Sequence, residues 1–70
     1  MTVVYVESLP KGFERMPITG YAVEDHSAHE LKTFNSQKKA IDWALSEGHT
    51  VHVAQIRYTN KGNPDHWRKA

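Results

Sequence analysis

Seventy residues make one domain with a thin core, because a chain this short buries only about 60% of the surface its unfolded form exposes. The absence of cysteine excludes disulfides and thiolate zinc sites and suits a reducing cytosol. A formal net charge of +1 is far from the balance of a dedicated DNA-binding domain. No apolar run approaches the ~20 residues of a membrane span.

Thr2 to Leu9 is rich in β-branched and aromatic residues, with Val4 and Val6 alternating against Val3 and Tyr5, and reads as a first strand. Its apolar run is too short for a signal peptide, so the expected location is cytoplasmic. Pro10 and Gly12 break the strand, and Phe13 and Met16 in the following loop are candidates to fold back on the core. Ile18 to Asp25 alternates again, with Tyr21 and Val23 on one face and Ile18 and Ala22 on the other. A polar turn from Asp25 to His29 then leads into a short third strand, Glu30 to Phe34.

The strongest local signal follows. Asn35 or Ser36 can cap a helix, and Ala40, Ile41, Ala44 and Leu45 form one stripe of a 3.6-residue period. Gly48 is placed to end that helix in the left-handed conformation. His49 to Tyr58 reads as a last strand whose alternation slips after Ala54, which predicts a bulge near Ala54-Gln55 or an exposed outer half. Asn63 followed by Pro64 would start a helical turn in the tail. The expected architecture is α+β: a mostly antiparallel β-β-β-α-β sheet with one helix on one face over residues 1–58, and a tail over 59–70.

Chemistry-bearing patterns are few. No Gly-x-Ser-x-Gly motif or phosphate-cradling glycine loop is present, so the chain reads as non-enzymatic and without a cofactor. Two His-x-x-His pairs, His26/His29 and His49/His52, use zinc-ligating residue types. The second pair sits in a strand, where residues three apart point to opposite faces, so solvent-facing or hydrogen-bonded imidazoles are the plainer reading. Imidazoles as a class titrate near pH ~6.5, which makes a pH-dependent interaction a further reading.

Charge is unevenly placed. Residues 1–30 hold two basic against five acidic side chains, and residues 31–70 hold seven against three. Trp67 beside Arg68 and Lys69, with Arg57 and Tyr58 upstream, has the composition of a protein-binding hot spot. The competing reading is that Trp67 folds back to cap an undersized core. Lys32, Lys38, Lys39 and Lys61 are the candidates for nucleic-acid contact. An open sheet edge also allows a homodimer.

The run Gly20-Tyr21-Ala22-Val23, continued by Lys32-Thr33-Phe34-Asn35-Ser36-Gln37-Lys38-Lys39-Ala40-Ile41-Asp42-Trp43, resembles the strand-to-helix junction of small phage and prophage modules. Among these are the arm-DNA-binding module of phage integrases and cell-division activators of the CedA type. The resemblance covers about residues 20–47 and implies a sheet with one helix, in a phage- or mobile-element-like protein. For function it implies nucleic-acid binding or modulation of a host assembly. The chain departs from it in the long strand after the helix and in the acidic hairpin residues Glu24, Asp25 and Glu30. The primary expectation is therefore a small binding protein that docks on a larger host protein. Nucleic-acid binding is the alternative, and a histidine-dependent metal site a third.

Overall fold

The computed structural model describes residues 2–10, 17–27, 29–55 and 62–70. Among these residues five strands form one sheet, β1 (Val3–Leu9), β2 (Gly20–Asp25), β3 (Glu30–Phe34), β4 (Thr50–Ala54) and β5 (Trp67–Lys69), with one α-helix, α1 (Gln37–Ser46). The strand order is β3-β2-β1-β4-β5. Pairing is antiparallel except between β1 and β4, which run parallel. A parallel neighbour needs a crossover, and α1 supplies it, carrying the chain from the β3 edge back over the sheet to β4. The fold is the expected α+β arrangement, with one addition. Trp67–Lys69, read from sequence as tail, forms a fifth strand against β4.

Register decides which residues face the helix. Val4 lies opposite Val51 and Val6 opposite both Val53 and Val23, so the valines of three strands share one face. With Ala40 and Ala44 they make the core, flanked by half-buried Tyr21, Phe34, Ile41 and Trp43. Alanines at i and i+4 let the helix approach the valine surface closely, which suits a domain with so little interior.

The predicted stripe needs one correction. Leu45 is 48% exposed, and the partly buried Trp43 takes its place against the core. The larger ring wins: Trp43 meets Phe34 at a centroid distance of 5.8 Å, burying more apolar area than a leucine would.

Both helix ends follow the sequence. Ser36 is the cap, its hydroxyl accepting from the Lys39 amide at 3.1 Å. Gly48 has φ +80°, its amide reaching Leu45 O at 3.0 Å while that of His49 reaches Ala44 O at 3.1 Å. These are the paired bonds of a Schellman stop. The His49 ring lies 6.0 Å from Trp43, the side-chain contact that usually accompanies that motif.

The β2–β3 turn is held by one carboxylate: Asp25 Oδ1 accepts the amides of Ser27 and His29, each at 2.9 Å. The only register shift among the described strand pairs lies in the β2–β3 pairing, between Val23 and Glu24, and not near Ala54. At Ala54 the chain leaves β4. Gln55 then ties the end of β4 to the start of β5, donating from its amide to His66 O and from Nε2 to Asp65 O and Trp67 O. The predicted turn is present as a 3-10 helix, Pro64–His66, capped by Asn63. The residues proposed to cover the core, Phe13 and Met16, and the phase slip at Ile56–Tyr58, lie outside the described residues.

Candidate functional site

The sheet face away from α1 carries the chemically distinctive residues. Strand alternation puts Tyr5, Glu7, Ala22 and Glu24 there, and the parallel register places His52 beside Tyr5. On the outer side, Ala54 faces Trp67 and His52 faces Lys69. Tyr5, Glu7, Ala22, Glu24 and Trp67 are all buried, so both faces of the central strands contribute to the interior.

Tyr5 is the hub. Its ring packs edge-on against Trp67 at 4.8 Å and stacks with His52 at 5.5 Å. Such arrangements satisfy the quadrupoles of the rings. Its hydroxyl is 3.0 Å from His26 Nδ1, and the His26 ring is tilted against it at 5.8 Å. Two depressions flank this hub. One, of about 290 Å³, is lined by Tyr5, His52, Pro64, Trp67 and Lys69. The other, of about 550 Å³, is more open and runs past Tyr5 and His52 to Asp25 and His26.

The sequence-predicted residues fall into separate places. Of the two readings of Trp67, exposed anchor or cap on an undersized core, its 7% exposure fits the second. The reason is register: opposite Ala54 its ring reaches over a small residue onto Tyr5. Lys69 shares its face, whereas Arg68 sits opposite Val53 on the helix side, so these three do not form one patch. Arg57, Tyr58 and Lys61 lie outside the described residues.

Of the candidate nucleic-acid contacts, Lys38 is bound to Asp42 at 2.7 Å, which raises its pKa through that hydrogen bond. Lys32 lies over the rings of Phe34 and Trp43, at 5.4 and 5.5 Å from their centroids. Lys39 lines a separate open groove with Gly20, Thr33 and Phe34.

The four candidate metal ligands are also dispersed. His26 and His52 both contact Tyr5, His29 Nδ1 sits 3.2 Å from Asp25 Oδ2, and His49 belongs to the helix stop. Among the described residues, no three His, Cys, Asp or Glu side chains converge as a metal set. The Asp25 carboxyl is held below its ordinary value, principally by the His29 amide, and is engaged in building the turn.

Sequence reading missed Tyr5 and His52 as partners. Each has the opposite parity to its neighbouring valines, but only the parallel register reveals that they touch. No described helix is long and apolar enough to cross a membrane. Compared with known proteins, the chain matches no family model, no curated protein and no solved structure.

Proposed function

We propose that this chain is a small non-enzymatic binding module that docks on a larger protein through the corner of the sheet face away from α1, formed by β1, β4 and β5. The observation that carries this reading is the Tyr5–His52–Trp67 ring cluster, anchored in the sheet and opening on a shallow depression beside exposed Lys69. Aromatic and basic side chains on a rigid sheet, with a polar margin, have the composition of interface hot spots. The flanking hollows are open and shallow, a shape suited to a protein surface more than to an enclosed substrate.

Affinity capture from a lysate tests it, comparing the wild type with His52→Ala/Lys69→Glu and with Lys38→Glu. A protein retained by the wild type and by Lys38→Glu, and released by the double variant, supports docking at this corner. Equal retention by all three places the contact elsewhere.

A second reading, nucleic-acid binding, is supported by Lys39 lining an open groove with Phe34, whose ring also lies under Lys32. It requires retention on DNA or RNA at ~50 mM salt that falls steeply by ~200 mM. A flat salt response removes it.

A further inference from the structure

The depression beside β5 has a chemical polarity that names its occupant more closely. Its walls are the rings of Tyr5 and Trp67 and the Pro64 ring. Its polar rim is made by two cross-strand neighbours, His52 of β4 and Lys69 of β5. Among the described residues, the His52 imidazole stacks on Tyr5 but makes no hydrogen bond, and the Lys69 ammonium pairs with no carboxylate. Lys38, by contrast, is engaged by Asp42. The corner thus presents hydrogen-bonding and cationic groups left open, on one face, over an apolar floor.

Of the carboxylates nearby, Asp65 adjoins Pro64 and is exposed, its backbone held by Asn63 and Gln55, and the others do not complete the corner. Asp25 lies at the far end of the adjoining hollow, with Oδ1 taken by two turn amides and Oδ2 facing His29. Glu7 and Glu24 are buried within the sheet face. What fits is a carboxylate carried on a short apolar stem, its methylenes over Trp67 and Pro64 and its oxygens toward Lys69 and His52. At about 290 Å³ the space admits a side chain, and it sits at the lower limit for small-molecule pockets.

We infer that this corner is the anchor point for an acidic segment of a protein partner, with a glutamate side chain seated between His52 and Lys69. The inference rests on the docking reading above and names the chemistry of the partner.

The test is a titration of isotope-labelled full chain, followed by nuclear magnetic resonance. The probes are a capped tetra-glutamate peptide, a capped tetra-lysine peptide and inorganic phosphate at matched ionic strength. Tetra-glutamate should give saturable shifts concentrated at His52, the Trp67 indole and Lys69, and tetra-lysine none. Lys69→Gln should weaken binding by roughly 3- to 5-fold, the scale of one exposed ion pair, and Lys39→Gln by less than about 2-fold. Lys69 is exposed, so its variant should keep the wild-type spectrum away from the site.

Equal weakening by both variants would mean a diffuse field and overturn the assignment. Phosphate binding as tight as the peptide would overturn it too, since the apolar floor would then contribute nothing. A wild-type chain that captures a larger protein yet ignores tetra-glutamate sinks this inference while leaving docking intact. Peptide binding without any captured protein does the reverse.

Discussion

Replacing Trp67 with alanine separates a core residue from a surface anchor. The side chain is 7% exposed, and an aromatic residue buries about 150–250 Å². At ~25 cal/mol per Å² that burial is worth about 4–6 kcal/mol. A denatured chain already hides part of this surface, which brings the expected loss to about 3–5 kcal/mol, the range found for such truncations. Seventy residues at roughly 0.05–0.15 kcal/mol each give a total stability of about 4–10 kcal/mol. The variant should therefore keep a small remainder or unfold, with a melting temperature at least ~12 °C below the wild type. Thermal and urea melts followed by circular dichroism measure it. Tyr5→Phe is the companion, keeping the ring against Trp67 and removing the hydroxyl that bonds His26, for about 1 kcal/mol. A Trp67→Ala chain that melts within ~3 °C of the wild type would show that β5 is not packed and refute the reasoning.

Four further outcomes follow from local geometry. Ser36→Ala removes the oxygen that holds the Lys39 amide and should cost about 1 kcal/mol in urea melts, with Ser36→Asp restoring it; equal melts for all three chains would discount the cap. Gly20→Ala would place a Cβ 2.9 Å from the Phe34 carbonyl oxygen, a backbone atom that cannot swing aside, so a loss of about 1–3 kcal/mol is expected in the same assay. Asp25 has a folded pKa below its unfolded value, so its contribution is present above about pH 4 and is lost as pH falls through the folded value; Asp25→Asn keeps the turn acceptor and should flatten the acid limb of a melting-temperature profile, and an unchanged limb would assign it to other carboxylates. Leu45→Gln should change stability by no more than ~0.5 kcal/mol, whereas a leucine in the stripe as first read would cost several times that.

What the sequence made legible was local, and what it hid depended on pairing. Ser36 and Gly48 could be read because a cap and a left-handed stop are set by neighbouring residues. The valines at positions 4, 6, 23, 51 and 53 could be read because period-two alternation marks a strand face. Leu45 could not be placed, since the roll of α1 is settled by Phe34 and Trp43 meeting across the sheet edge. Nor could β5: three residues, one of them buried, carry no alternation from which a strand can be recognised. The candidate site was missed for a related reason. Tyr5, His52 and Trp67 stand on strands distant in sequence, and their contact needs both the parallel β1–β4 pairing and the last strand. Glu7 and Glu24 would pass in a pattern for solvent-facing positions, although Glu24 is only 2% exposed.

The same pairing decides what the charge asymmetry means. The described lysines and arginines of the C-terminal half fall in two groups, Lys32, Lys38 and Lys39 at the β3–α1 junction and Arg68 and Lys69 on β5. Those strands are opposite edges of the sheet, four strand spacings apart. At ~4.8 Å per spacing that is roughly 19 Å, more than twice the ~8 Å over which exposed charges act at physiological salt. The two groups therefore do not sum into one field under those conditions, and the described basic residues of this half do not make one basic side. Within each group the cations differ in kind. Lys38 is neutralised by Asp42 and Lys32 is drawn over two rings, while Lys69 remains open beside an aromatic floor. Local chemistry at one corner, and not the overall balance, is what sets the β5 edge apart from the β3–α1 junction.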